Sequence, residues 1–338
     1  MGLALNIGFV IVGIAVLYWG AEWLIRGSAA VARAFGVKPL VIGLTVVAYG
    51  ASAPELAVAT KTALTHHPSI ALGTVIGSCA ANISLILGLT ALIAPPTIDG
   101  RIIKREVPVL LGSVIAVPLV LWNGVLSRFE GVILIGCAIV FTIVTLTVSA
   151  RLDPDDANEL ETRASAPDAQ GVTSGGSSGA LIGGRARPRS SRGIASLMTA
   201  FGLVLLVVGS DLFVQGGRGI AAQIGMSERI LGLTVVSLGC ALPELIGSLV
   251  AATRGHAALA IGSVIGSNLL NVFLVLGITA YLEPIEIRQP AHAVELIGLV
   301  AITLLGILTL RGNRKITRIE GAVLVLAYFG FLTASALL

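Results

Sequence analysis

Ten long apolar stretches constrain the fold of this chain more than any other feature. They cover approximately residues 3–25, 38–63, 69–93, 106–122, 129–149, 194–214, 229–252, 257–281, 291–310 and 317–337. A helix needs about 20 apolar residues to cross a bilayer. Only 12% of the 338 residues are charged, against about 25% in soluble domains. The sequence therefore predicts an all-α integral membrane protein with ten transmembrane helices.

A polar segment, residues 151–193, separates the fifth stretch from the sixth. It contains an acidic run at 153–161, a Gly/Ser-rich run and several arginines, with too few apolar side chains to form a core. The acidic run lacks the glycine-centred spacing of an EF-hand loop. We interpret the segment as a flexible linker between two five-helix units, residues 1–150 and 194–338.

The placement of lysine and arginine predicts the orientation in the membrane. Most of the 22 Lys and Arg residues fall in the linker and in every second loop, and such residues mark the cytoplasmic side. Both termini are therefore expected outside, with the linker in the cytoplasm and the chain in the cell (inner or plasma) membrane. The first stretch has no basic residues ahead of it and no clear cleavage site, so we interpret it as a retained span.

The two halves repeat each other at a constant offset of 189 residues. Residues 41–56 and 230–245 share nine of sixteen identities, and residues 72–88 and 261–277 share nine of seventeen. The two motifs together span 41–88 and 230–277. Because each half has an odd number of spans, the copies enter the membrane in opposite directions. This predicts two inverted five-helix repeats with a substrate site at their interface.

Glu55 and Glu244 occupy equivalent positions of the two copies, inside apolar stretches. A carboxylate at membrane depth costs roughly a few kcal/mol, and neither span has a nearby lysine or arginine to neutralise it. A bound cation would neutralise both groups. The alternative, a protonated structural glutamate in a helix interface, stays open at this point.

Glycine and proline precede each carboxylate, in residues 50–54 and 239–243. Proline removes a backbone donor and clashes with the preceding turn, and glycine lets the chain turn aside. We predict that helices 2 and 7 are broken here, with free carbonyls facing a cavity. Carboxylate and carbonyl oxygens are the ligands that calcium prefers, in sets of about 6–8.

The second part of each copy adds a serine and an asparagine on one helix face. Ser78 precedes Asn82 by four residues, as Ser267 precedes Asn271, and this spacing places each pair on the same side of a helix. A hydroxyl and an amide oxygen could complete sites for sodium. Hydrogen bonding between membrane helices is the open alternative for these side chains.

At these residues the chain resembles the cation/calcium exchanger superfamily and, within it, the sodium/calcium exchangers. Members carry two alpha-repeats, each with a Gly-Thr-Ser-x-Pro-Glu (or Asp) break followed by Gly-Ser-x-x-x-Asn (or Asp). The pattern lies in residues 50–55 with 77–82 and in 239–244 with 266–271. The resemblance covers all but the linker. It implies a secondary active antiporter that exchanges Ca²⁺ for Na⁺ by alternating access, with the first and sixth spans sliding over a fixed core.

The resemblance also implies which residues bind the ions. Acidic groups lie at the centre, serine hydroxyls help to bind sodium, asparagines flank the centre, and backbone carbonyls complete the sites. In this order they are Glu55 and Glu244; Ser52, Ser78 and Ser267; Asn82 and Asn271; and the carbonyls of Ala48, Ala51, Ser237 and Cys240. No cofactor is expected beside the transported Ca²⁺ and Na⁺. The lipid bilayer is the expected environment, nucleic acid is not a partner, and the chain is expected to be monomeric.

The chain departs from the family pattern at three motif positions. The family threonine is Ala51 in one copy and Cys240 in the other, and the second-copy serine is Ala241. Because Ala241 has no hydroxyl, an antiporter of H⁺ against Ca²⁺, or of other divalent cations, stays open as the alternative. Asn271 stands where potassium-dependent relatives carry Asp, which disfavours potassium co-transport.

Other classes of protein are weaker alternatives. An intramembrane enzyme would need a nucleophile with a base or a histidine cluster, whereas all four histidines fall in loops or near span ends, so no enzyme is expected. A passive channel would carry flux without a counter-gradient. His66 and His67 are expected in a solvated outer loop. The repeat also pairs Glu22 with Asp211, which would either couple their helices to the core or reach the membrane interface.

Overall fold

The computed structural model describes residues 2–64, 68–96, 100–148, 192–224, 237–286, 291–311 and 315–336. Within these ranges the chain is almost entirely helical, and a helical segment lies at every stretch predicted to be a span. In chain order the segments are α1 (Leu3–Phe35), α2 (39–64), α3 (68–93), α4 (Gly100–Val120), α5 (Arg128–Val148), α6 (Arg192–Gln223), α7 (Ser237–Thr253), α8 (Ala257–Leu282), α9 (Ala291–Arg311) and α10 (Arg318–Ala336).

Seven of the described helices are long and apolar enough to cross a membrane, namely α1, α2, α3, α5, α6, α8 and α10. The all-α membrane fold is thereby confirmed, and the count of ten crossings stays a prediction. Two short strands, β1 (Val125–Leu126) and β2 (Ile285–Glu286), pair in antiparallel fashion. They join the loop after α4 to the loop after α8, two loops that the sequence predicts on the same, outer side.

The first helices of the two halves run in opposite directions against each other. Near one end of the pair, Arg192 of α6 donates a hydrogen bond to the carbonyl of Ala34 in α1 at 3.2 Å. Near the other end, a β-carbon at Gly219 of α6 would strike Asn6 of α1. In the middle of the protein the Cys79 thiol donates to the backbone oxygen of Asn268 at 3.8 Å. Cys79 and Asn268 are equivalent positions of the repeat, so their contact lies beside the axis that relates the inverted halves.

Local sequence signals set several helix ends. At the start of α5, the Ser127 backbone N–H donates to Glu130 Oε2 at 2.8 Å and the Glu130 N–H donates to Ser127 Oγ at 3.3 Å. Thr317 and Glu320 make the same reciprocal pair at the start of α10, with distances of 2.7 and 3.3 Å. These are capping boxes. Helix α1 ends at Phe35. The next residue, Gly36, has a φ of 65°, which glycine adopts readily.

Helices α1 and α6 extend well beyond their predicted ends. They contain 33 and 32 residues, whereas the sequence analysis expects them to end near residues 25 and 214. A helix of this length measures about 50 Å, more than the roughly 30 Å of hydrocarbon. In α1 the extension follows from packing, because Ala29, Val31 and Ala32 remain buried past the predicted end.

A glycine series lets α1 and α6 approach at backbone distance. The glycines recur every seven residues in both helices and occupy equivalent positions of the repeat: Gly13, Gly20 and Gly27 in α1, and Gly202, Gly209 and Gly216 in α6. A β-carbon at Gly13 would lie 2.8 Å from the backbone nitrogen of Phe213. A β-carbon at Gly20 would lie 2.9 Å from the backbone nitrogen of Leu206. Small residues at such spacing are typical of tightly packed membrane helices.

We expect Gly202→Ala to destabilise the protein by about 1–3 kcal/mol, the usual cost of overpacking. The added methyl group would collide with the backbone of Leu24 and lie 2.8 Å from the carbonyl oxygen of Gly20. Gly136→Ala in α5 is the matched control, since a β-carbon there meets nothing within 4 Å. Thermal unfolding of the two purified variants in detergent measures the difference. Equal unfolding temperatures would contradict the close packing of α1 on α6.

The buried apolar side chains form two main clusters. The larger one joins helices α2–α5 with α8–α10 through residues such as Leu44, Leu110 and Leu269. Among the described residues, α1 and α6 contribute nothing to it. They belong to the second cluster, in which Leu24 and Leu206 pack against Leu242 and other residues of α2, α7 and α8. The glycine-joined pair of α1 and α6 is therefore a separate layer on the side of a larger core.

Candidate cation-binding site

The fold brings Glu55 and Glu244 together from opposite halves of the chain. Both carboxylates are 1% exposed. Ser52, one turn before Glu55, donates a hydrogen bond from its hydroxyl to Glu244 Oε1 at 3.5 Å. The two side chains therefore face one shared region between the repeats.

Buried oxygen atoms without hydrogen-bond partners are concentrated among the predicted site residues. Within the described part of the chain they include Glu55 Oε1 and Oε2, Glu244 Oε2, Asn82 Oδ1, Asn271 Oδ1 and Ser267 Oγ. A buried polar atom without a partner costs about 1–3 kcal/mol, and more when it is charged. A set of such oxygens is unfavourable in the empty protein and well suited to a hard cation.

The donor set is composed of oxygen ligands. Among the described residues, no group of three or more His, Cys, Asp or Glu side chains is arranged to hold a metal ion. The two carboxylates are instead accompanied by hydroxyl and amide groups. Such ligands suit alkali and alkaline-earth cations better than zinc or copper.

Helix α2 is interrupted just before its carboxylate, as predicted. It consists of Pro39–Ile42, a π-helical turn at Gly43–Val47, a short α-helical turn at Ala48–Ala51, and Ala53–Leu64 after a one-residue turn at Ser52. The proline at position 54 follows that turn. The interruption aims the Ser52 hydroxyl at the opposite half.

The described part of α7 corrects the prediction of a second break. This helix is continuous from Ser237 through Pro243 to Thr253. The proline lacks the N–H that would bond to the Gly239 carbonyl four residues earlier. The Ser210 hydroxyl of α6 donates to that carbonyl oxygen instead, at 2.5 Å. The freed carbonyl therefore bonds to a neighbouring helix and does not face an open cavity.

The motif glycines allow close packing between helices. The prediction that they let the chain turn aside is wrong. Gly50 and Gly239 both lie within helices. A β-carbon at Gly50 would strike the side chain of Leu203, and one at Gly239 would strike the side chain of Val214. Because both of these neighbours belong to α6, the glycines provide room for α6 beside the site.

Both motif asparagines lie in π-helical turns. Asn82 belongs to the turn Ala81–Ile86 in α3, and Asn271 begins the turn Asn271–Val275 in α8. They are 1% and 0% exposed. A π turn widens the helix locally and is frequent at functional sites. The repeated sequence motif predicts these two residues but not the π-helical form of their backbone.

The other predicted site residues are placed as follows. Ser78 is buried, as are Ala51 and Cys240. The Ala48 carbonyl accepts a hydrogen bond from the backbone N–H of Ser52 at 2.9 Å. This leaves its second lone pair for any further partner. Ser237 is the first residue of α7.

Three further polar residues near the site are absent from the sequence prediction. Ser210 bonds to the Gly239 carbonyl as described above. Ser248, one helical turn after Glu244, is buried and its hydroxyl has no partner among the described residues. Asn268, next to Ser267, donates to the Val264 carbonyl at 2.9 Å, while its own Oδ1 is unpaired. Ser248 could have been predicted from the sequence, because its position four residues after Glu244 places it on the same face of the helix.

The two halves differ in how the helix after each carboxylate is covered. In α2 the residues Ala53, Leu56, Ala57, Thr60, Lys61 and Leu64 line an open groove of about 440 Å³. Their equivalents in α7 include Leu242, Leu245, Ile246 and Val250, which pack in the cluster that contains Leu17, Leu24 and Ile25 of α1. The face of α7 that follows Glu244 is therefore covered by α1, whereas the equivalent face of α2 is open.

Fold and site together define a multi-span membrane transporter with an inverted repeat and a shared pair of carboxylates. A family model for "Sodium/calcium exchanger protein" matches residues 5–147 and 194–337. The chain belongs to this family.

Relatives and solved structures agree with the family model. A sodium/calcium exchanger of Methanosarcina acetivorans is 28% identical over 98% of both chains. The inner membrane protein YrbG of Escherichia coli is 31% identical over 86% of this chain and 84% of its own. A structure of the sodium-calcium exchanger NCX_Mj matches with a TM-score of 0.80 at 29% identity, covering 98% of this chain and 99% of the other.

Some predictions lie outside the described residues. They concern His66 and His67, the acidic run at 153–161 and the linker as a whole. The family model leaves a gap between residues 147 and 194, and α6 begins at Arg192. The residue boundaries of the two repeats and of the linker stay a prediction.

Proposed function

We propose that this chain is a secondary active antiporter that exchanges Ca²⁺ for Na⁺ across the cell membrane. The observation that carries the proposal is the pair of buried carboxylates, Glu55 and Glu244, contributed by inverted halves. Among the described residues, no lysine or arginine forms an ion pair with either of them. A cation is what makes two such charges tolerable at membrane depth.

The proposed ligands divide by chemistry. Glu55 and Glu244 bind calcium at the centre and contribute to sodium binding when calcium has left. The hydroxyls of Ser52, Ser78 and Ser267 and the amides of Asn82 and Asn271 complete the sites. Backbone carbonyls of Ala48, Ala51, Ser237 and Cys240 supply the remaining oxygens. Both ions compete for the same carboxylates, and this competition is what couples their movements.

Alternating access follows from the unequal covering of the two halves. In the present state α1 packs over α7, while the equivalent face of α2 borders a groove. Because the halves are inverted copies, a shift of the α1–α6 pair along the core would cover α2 and uncover α7. The side on which the site opens would then change.

Ion flux in vesicles tests the proposal directly. We expect an outward sodium gradient to drive uptake of radioactive calcium into proteoliposomes, and a pH gradient without sodium to drive none. Uptake driven by the pH gradient alone would replace sodium by protons as the coupling ion, the alternative that Ala241 leaves open. Rapid calcium flux without any counter-gradient would contradict an antiporter.

The setting of the protein is proposed on the same basis. The linker is placed in the cytoplasm and both termini outside, as the distribution of basic residues indicates. We propose the cell membrane as its location, a monomer as the working unit, and no cofactor beside the transported ions.

A further inference from the structure

A buried carboxylate outside the cation site connects α1 to α7. The Glu22 side chain is 5% exposed. Directly after α7, Arg254 donates through its terminal nitrogen to Glu22 Oε1 at 3.0 Å and through Nε to Oε2 at 3.2 Å. From α1 itself, Arg26 donates to Glu22 Oε1 at 2.6 Å through its Nε. The bidentate contact with Arg254 thus crosses the boundary between the α1–α6 pair and the core.

The position of this ion pair coincides with the closed side of the site. Arg254 follows the last residue of α7, the helix whose face is covered by α1. Leu24 and Ile25, two and three residues after Glu22, belong to the apolar cluster that forms this cover. If α1 moved away from α7, Glu22 would keep Arg26 and lose Arg254. Removing one partner of a largely buried charge is costly, because the remaining charge loses part of its compensation.

The repeat does not reproduce the ion pair in the other half. The equivalents of Glu22 and Arg26 are Asp211 and Gln215, which bond to each other at 2.6 Å on the exposed surface. The equivalent of Arg254 is Thr65, a neutral residue. The Glu22–Arg254 ion pair therefore has no counterpart at the equivalent positions of the other half.

We propose that the Glu22–Arg254 ion pair is a one-sided latch. It stabilises the state in which α1 closes the α7 side, predicted to be cytoplasmic, and so biases the ion-free carrier toward opening on the α2 side. The inference rests on the proposed alternating access, since a latch is useful only if α1 moves.

The test measures the two states by cysteine labelling, without any transport. Ala57 lines the groove on α2 and Ile246, its equivalent on α7, packs in the cluster that contains α1 residues. Cysteines introduced separately as Ala57→Cys and Ile246→Cys are labelled with a maleimide in purified protein, with the unsubstituted chain as background. Arg254→Gln is expected to raise the labelling rate at position 246 about fivefold and to lower the rate at position 57. A fivefold change is about the size expected for the loss of a partly exposed ion pair.

Matched variants separate the latch from a loss of charge. Arg26→Gln removes a partner of the same carboxylate within α1 and should leave both labelling rates unchanged. Exchanging the charges with Glu22→Arg and Arg254→Glu should restore the wild-type rates. If Arg254→Gln does not fold, Glu22→Gln removes the same contact. Unchanged labelling in folded Arg254→Gln or Glu22→Gln protein overturns the latch. Because labelling needs no ion gradient, failure of sodium–calcium exchange would be detected separately.

Discussion

Replacing Glu55 or Glu244 by glutamine is expected to reduce sodium-driven calcium uptake by about 100-fold or more. Each substitution keeps the size of the side chain and removes one of the two charges that neutralise Ca²⁺. Changes outside the ligand shell of a metal already cost about 10–100-fold, and ligand charge is a main determinant of calcium affinity. The measurement is uptake of radioactive calcium by proteoliposomes with equal amounts of each protein.

Glu106→Gln is the matched control for this prediction. Glu106 is a buried carboxylate of α4, 4% exposed, and lies outside the site, 3.9 Å from Arg105. Its substitution removes a buried charge of the same type and should leave uptake within about twofold of wild type, as is usual for changes that leave the ligands intact. Normal uptake by Glu55→Gln and Glu244→Gln would show that the carboxylates have another role.

Calcium is expected to stabilise the wild-type protein and not the Glu244→Gln variant. A ligand that binds only the folded state contributes about 2.7 kcal/mol at one hundred times its dissociation constant. In buffer free of sodium and calcium we expect the opposite difference in stability between the two proteins. There Glu244→Gln should be the more stable protein by about 1–3 kcal/mol, because a neutral amide replaces one of two buried carboxylates that face the same region.

Thermal unfolding in detergent, with and without calcium, measures both effects. The expected pattern is a calcium-dependent rise in unfolding temperature for the wild type and for Glu106→Gln, and none for Glu244→Gln. An equal calcium shift in all three proteins would place the bound cation elsewhere. Lower cation-free stability of Glu244→Gln would argue that the carboxylate supports the fold and not the ion.

Sequence alone predicts the residues of the site better than their backbone. The repeat offset identifies Glu55 and Glu244, and the structure places them on facing sides of one region, because both positions lie near the boundary between the two halves. The same reasoning takes Pro243 for a helix break. A proline inside a membrane helix is accommodated when a neighbour replaces the lost donor, and Ser210 does so from a helix that the motif does not include.

Other features depend on contacts between distant parts of the chain. The ion pair of Glu22 with Arg254 joins residues 232 positions apart, and neither charge reveals the other in the sequence. The true end of α1 depends on burial beyond residue 25, which hydropathy does not report. The glycine series in α1 and α6 could have been recognised in the sequence, because its seven-residue spacing occurs in both halves at equivalent positions.

The location of a bound divalent cation is the sharpest test of a shared site built from both carboxylates. Crystals of the protein soaked with Sr²⁺, a heavy relative of Ca²⁺, would reveal the ion by anomalous scattering. We predict a peak between the two repeats, with carboxylate oxygens of both Glu55 and Glu244 at about the 2.3–2.6 Å typical of calcium, or slightly longer. A strong peak elsewhere, with Glu55 and Glu244 both away from the ion, would show that these carboxylates do not form the cation site.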